Sequence, residues 1–351
     1  MWIALILLIS YMVLLLERNA TVNVGGERGA FCSIDLCKEK KLYAPFKYRP
    51  LGFWLARLFS VTSKNIKPMM VWAERYFYNI YLLDSTGVEK YYVFKYCLLV
   101  LANFSFYWYM TVVGLPPLLG VFILDLFICL TFIYDSFDYL IEIALYALFC
   151  GLCMIGGSVY LLLLIAMIGA LNRETSIFMI PIAYCYEGLA ASLFAFAGFI
   201  VGFVIPRIIY RKAADNYDAG YKSGFWFLTF DPIRNWKHSI WPPLKNRFQG
   251  MMSNFFFTHN GQSLYPNIGG NEIQVYTKEF FLNRIFLGIV AIVFYLTVLT
   301  YGFFEVSSIL RPLSLIFILF TILVSIPSDI REIRVYAPVY IAIVPYLWYL
   351  V

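Results

Sequence analysis

Long apolar runs, broken by Pro, Gly or short charged clusters, set the rhythm of this chain. They lie at about 2–16, 92–114, 116–134, 137–156, 157–171, 176–186, 188–209, 283–303, 308–326 and 335–351. A spanning helix needs about 20 mostly apolar residues, so several of these runs predict transmembrane helices. The first run is short, but it lacks the basic leader and small-residue cleavage site of a signal peptide. It reads as the first transmembrane helix, with Glu17 and Arg18 at its end. Pro116-Pro117 and Gly156-Gly157 each separate two helices. The run 176–186 is too short to span alone and reads as re-entrant or as part of a broken helix. The pattern predicts an all-α integral membrane protein with about eight to ten spans in one transmembrane domain covering 1–351.

Two wetter segments interrupt this pattern. The first, 17–91, interleaves Phe, Trp, Leu and Tyr with Arg and Glu at 52–62 and 68–83, which suits helices lying flat at the membrane interface. The second, 210–282, holds Trp226, Trp236, Trp241, Pro242 and Pro243 and reads as an ordered loop touching the head-group layer. No internal repeat or low-complexity tract is present, so an inverted-repeat transporter has no direct support.

Composition agrees and excludes alternatives. Hydrophobic residues make up 62% and charged residues only 14%, against about 25% charged in an ordinary soluble domain. A soluble enzyme, a disordered chain and a secreted disulfide-rich module are excluded. The formal charge is +6, but no Lys or Arg lies between Tyr96 and Asn172. The remaining basic residues flank spans among Trp and Tyr, so anionic lipid head groups, not nucleic acid, are the expected partner. Both long segments are basic, so the positive-inside rule does not orient the chain. Asn19-Ala-Thr21 fits a glycosylation sequon.

Seven cysteines are present. Cys97, Cys129, Cys150, Cys153 and Cys185 lie in apolar runs as small core residues. Cys32 and Cys37 sit in the first wet segment, where an oxidising compartment allows them to pair. His238 and His259 have no Cys or His neighbours, so no zinc site is expected.

Four polar patterns stand out. In APFKYRPL (44–51), Pro45 and Pro50 rigidify the chain around Tyr48 and Arg49. A guanidinium held in that way suits a phosphate or carboxylate, or Tyr and Arg anchor the segment at head-group depth. LNRET (171–175) ends a span with Asn172, Arg173 and Glu174. Such groups are costly in lipid unless paired or facing a cavity. On a helix Arg173 and Glu174 would point about 100° apart, so each needs its own partner, unless the motif is only a helix-end cap. REIRVYAPV (331–339) carries Glu332 and Arg334 and reads either as a functional element or as a charged turn that fixes topology. The acidic set Asp125, Asp135, Asp138, Glu142 and Glu187 can bind a cation, relay protons or receive Arg49 or Arg173 from elsewhere. Asp135 and Asp138 also suit the N-terminal dipole of a helix beginning at the interface. Asp125 and Glu187 are the deeper members.

In this order, a short first span, APFKYRPL, LNRET and REIRVYAPV resemble a large group of bacterial polytopic proteins. These are related to the membrane-embedded GT-C-type glycosyltransferases of the cytoplasmic membrane. The resemblance covers about 35–339 and rests on some twenty residues. It implies transfer of a sugar from a polyprenyl-phosphate donor to a lipid-linked, glycan or protein acceptor of the cell envelope. It also implies a first long loop with interfacial helices and an acidic general base.

On that likeness, Asp35 and Glu17 are the candidate bases, Arg49 and Arg173 clamp phosphate, and both arginines converge on one site. Tyr48, Asn172, Glu174, Glu332 and Arg334 bind sugar or support the clamps. Some members of the group use a divalent cation. Here Glu17 occupies the early acidic position, and Asp35 lies in SIDLCKEK with no second Asp. Two other classes remain open: a transporter or flippase of an anionic lipid-linked substrate, and a non-catalytic subunit of a larger membrane complex.

Overall fold

A computed structural model describes residues 2–22, 51–52, 54–55, 58, 88–130, 138–209, 278–305, 308–325 and 333–350. For 15–22, 88–92, 130, 207, 278–287, 325, 333–335 and 349–350 it describes the helix path but not the side chains. The described chain is helical, with no strand among the described residues. Helix α1 is Trp2–Val22, α2 Val88–Val113, α3 Pro117–Leu130, α4 Asp138–Met154 and α5 Val159–Asn172. A 3₁₀ turn, Glu174–Phe178, leads into the short α6, Met179–Glu187, and then α7, Leu189–Ile209. Helices α8, Lys278–Glu305, and α9, Arg311–Ser325, precede a second 3₁₀ turn, Ile333–Val339, and α10, Tyr340–Leu350.

The breaks fall where the backbone demands them. Pro117 opens α3, where its missing N–H is not needed. Gly156, between α4 and α5, has φ +69°, a left-handed conformation that a side chain would strain. The run 176–186 is the short arm of a broken helix: only Gly188, at φ +81°, separates α6 from α7.

Among the described residues, three stretches are long and apolar enough to cross a membrane: Val93–Val113, Leu189–Pro206 and Gly288–Glu305. Five shorter apolar helical stretches accompany them: Trp2–Leu14, Pro117–Cys129, Val159–Asn172, Arg311–Val324 and Tyr336–Trp348. The chain is therefore an all-α membrane protein. Where the pattern predicts about eight to ten spans, the described residues give three helices long enough to cross and five shorter apolar stretches, because Pro, Gly and 3₁₀ turns cut the apolar runs. Broken helices are tolerated at membrane depth when neighbouring protein covers their ends.

Helix α4 sits at the centre, packed by α2, α5, α6, α10 and the turn Ile333–Val339. It is buried nearly all round, from Tyr139 to Cys153. The segment 336–346 is also buried without interruption. Around this centre the helices are apolar on both faces. In α9, Leu313, Phe317 and Phe320 point inward while Leu315, Leu319 and Leu323 lie about half exposed. A helix apolar all round belongs in a lipid solvent or a large core.

Tyr346 ties the last helices together. The buried Ser314 hydroxyl donates to its phenol oxygen at 2.7 Å, and the phenol donates to the Leu310 carbonyl at 2.6 Å. A Cβ on Gly302 would lie 2.6 Å from the ring, so α8 rests its backbone on Tyr346. Tyr346→Phe leaves two buried groups without this partner and is expected to cost about 1–3 kcal/mol. Thermal unfolding of the purified protein in detergent reads that loss.

Candidate functional site

The densest polar cluster among the described residues forms where α5 ends. Helix α5 stops because the chain turns extended at Arg173, with φ −154° and ψ 146°. Its last turn is closed by the Arg173 amide, which donates to the Gly169 carbonyl at 2.7 Å. The Ser176 hydroxyl then donates back to the Arg173 carbonyl at 2.7 Å. Gly169 permits this fold-back, since a Cβ there would meet Ser176 Cβ at 2.9 Å.

The turn delivers Arg173 to the first turn of α4. Asp138 and Glu142 stand four residues apart and so share one helix face. Arg173 Nη1 donates to Glu142 Oε2 at 2.9 Å, and Arg173 Nε lies 3.0 Å from Asp138 Oδ2. The Thr175 hydroxyl donates to Glu142 Oε1. Tyr146 donates through its phenol to the Thr175 carbonyl at 2.7 Å, and Asn172 Nδ2 donates to the Asp138 carbonyl at 2.9 Å. The Arg173 and Glu142 side chains are almost wholly buried, at 5% and 3% exposure, whereas Asp138 reaches 20%. Asp138 is thus the exposed edge of an otherwise closed set.

Chemically, one guanidinium balances two carboxylates. Each Glu142 oxygen has a donor, and the arginine is locked by packing as well as by charge. Burying such a trio is costly unless every group is met. Here the LNRET segment supplies nearly all the donors. The acidic set does receive an arginine from elsewhere in sequence, and that arginine is Arg173.

The pairing of Arg173 did not follow from helical geometry, because the residue lies outside the helix. The signal available in sequence was the i, i+4 spacing of Asp138 and Glu142. Glu174 is buried in the first turn of the 3₁₀ segment. Its neighbour Arg173, expected to clamp phosphate, has its guanidinium committed to Asp138 and Glu142.

The turn Ile333–Val339, which carries the end of REIRVYAPV, packs against α4 as well. Two of the sequence patterns, about 160 residues apart, therefore meet one helix. Arg334 lies in that turn and Glu17 in α1, in stretches where only the helix path is described. Asp35, Tyr48, Arg49, Asp135, Glu332, Cys32, Cys37, His238 and His259 lie outside the described residues, as do most of 17–91 and 210–277 with their expected interfacial helices. Among the described residues, no three His, Cys, Asp or Glu side chains gather as a metal site. The described cysteines carry free thiols, and Cys150 and Cys153 are buried core residues.

A second, smaller polar set sits deep between α1, α2 and α3. Asn103 Nδ2 donates to Ser10 Oγ at 2.9 Å and to Asp125 Oδ2 at 3.0 Å. No protein-family model matches the chain, and neither a curated protein nor a solved structure is significantly similar to it.

Proposed function

We propose that this chain is a membrane-embedded glycosyltransferase of GT-C type. It would move a sugar from a polyprenyl-phosphate donor to a lipid-linked, glycan or protein acceptor of a bacterial envelope. The observation that carries the reading is the gathering of LNRET and the REIRVYAPV turn on helix α4. Sequence patterns that are separately unremarkable meet on one helix, where Asp138 is 20% exposed.

In this reading the acceptor hydroxyl loses its proton to a carboxylate of the first long loop, Asp35 or Glu17. The acceptor oxygen attacks the anomeric carbon, and the bond from that carbon to the phosphate oxygen breaks. The lipid phosphate leaves with the electron pair and is stabilised by cationic groups. Arg49 is the arginine left for that phosphate, with Arg334 in its supporting role. Arg173 acts through Asp138 and Glu142, holding the end of α5 and the partly exposed Asp138 in place. Tyr48, Asn172, Glu174 and Glu332 complete the sugar-facing set. The described residues offer no donor set for a divalent cation, so no step is routed through one.

The test is transfer of label from polyprenyl-phosphate sugars to endogenous acceptors in membrane vesicles. Wild type is expected to transfer. Asp35→Asn and Arg49→Ala, at equal expression, are expected to lose about 100-fold or more, as removal of a general base or a charge-stabilising donor does. No transfer from any donor, with the variants behaving as wild type, overturns the reading.

A second reading is favoured by the closure of the Arg173 cluster: a non-catalytic subunit whose buried charges only specify packing. In that case the protein co-purifies with other membrane proteins in fixed stoichiometry, and Arg49→Ala leaves the complex intact.

A further inference from the structure

The Ser10, Asn103 and Asp125 set is unlike the Arg173 cluster because no basic side chain pairs with Asp125 among the described residues. Asp125 is only 2% exposed, and Ser10 and Asn103 are fully buried. Asn103 is the central residue of the apolar stretch Val93–Val113, so the set lies at mid-span depth. One carboxylate oxygen of Asp125 accepts the Asn103 amide. The other, Oδ1, has no hydrogen-bond partner among the described residues, and neither does Asn103 Oδ1. Two buried oxygen acceptors on hydrogen-bonded neighbours are thus left unmatched. Ser10 Oγ already accepts from the amide and keeps a second lone pair.

An unmatched carboxylate in a buried helix junction is among the costliest arrangements in a membrane protein. Both loose ends are hard oxygen acceptors, so what completes them is positive and takes oxygen ligands. One carboxylate neutralises one positive charge. A divalent ion would leave a net positive charge in the low-dielectric interior. We propose that Ser10, Asn103 and Asp125 bind a monovalent alkali cation, held by Asp125 Oδ1, Asn103 Oδ1 and Ser10 Oγ. The site joins α1 to α2 and α3, so the ion clamps the first helix to the bundle. This inference is independent of the glycosyltransferase reading.

The experiment is thermal unfolding of the purified full chain in detergent, in choline chloride exchanged stepwise for NaCl, KCl or LiCl at constant ionic strength. A site that binds the folded chain raises the midpoint with the logarithm of ion concentration once it is saturated. The midpoint is expected to rise in at least one alkali salt, and binding of radioactive sodium or rubidium is expected to be stoichiometric and competed by that ion. Asp125→Asn is expected to abolish both, while Thr297→Val, on the exposed face of α8, keeps both. A wild-type midpoint that is the same in all four salts, or that responds to pH alone, overturns the proposal. It would assign the two oxygens to a bound proton or water. Because that reading is made on wild type, it stands even where Asp125→Asn fails to fold.

Discussion

Arg173→Ala is expected to lower stability by about 3–5 kcal/mol, the penalty for leaving buried charges without their partner. The substitution strands Glu142, whose side chain is 3% exposed, beside Asp138 on the same helix face. It also removes the side-chain tie between the LNRET turn and helix α4. Unfolding of the purified protein, followed by temperature or by denaturant, measures the loss. Arg173→Lys should recover only part of it, because an ammonium cannot address both carboxylates with a fixed fork. The triple variant Asp138→Asn, Glu142→Gln, Arg173→Met should recover most of it, since removing a whole buried ion cluster is often nearly neutral. If Arg173→Ala is as stable as wild type, the cluster does not hold the bundle, and the arginine is released for substrate.

The second large effect is steric. Helix α7 lays Ala191, Ala195, Gly198 and Gly202 against α5, spaced by four, three and four residues. Small residues at that spacing let two membrane helices approach until backbones touch. A Cβ on Gly198 would lie 2.1 Å from the Leu163 carbonyl oxygen, and one on Gly202 2.1 Å from that of Met167. Both obstacles are helix backbone, so nothing flexible can yield. Gly198→Leu and Gly202→Leu are each expected to cost about 3 kcal/mol or more, the upper end of overpacking penalties. Leu193→Val, on the opposite, half-exposed face of α7, should change stability by less than about 0.5 kcal/mol. Equal midpoints for Gly198→Leu and Leu193→Val would show that α7 does not pack on α5 in this way.

The two predictions mark different degrees of legibility. Gly198 and Gly202 are four apart within an apolar helix, a spacing that is legible in the sequence. Asp138 and Glu142 were visible as acids, and an arginine partner from elsewhere was foreseen. Which arginine it is depends on the extended turn at Arg173, which no local pattern specifies. The Asp125 site was visible only as a deep acid. Its companions Ser10 and Asn103 are uncharged residues in other helices, 115 and 22 positions away.

What the sequence by itself determined is the solvent and the punctuation. Apolar runs of near-spanning length require helices in lipid, because every backbone polar group must be satisfied within its own segment. Pro117, Gly156 and Gly188 end or restart those helices through backbone conformation, a local property. What only the tertiary structure decided is which polar groups meet. In a chain this apolar, lipid and protein interior are equally oily, so hydrophobicity does not select helix neighbours. Close backbone approach at Gly198 and Gly202, and the need to satisfy Arg173 and Asp125, make that selection, and both depend on residues distant in sequence.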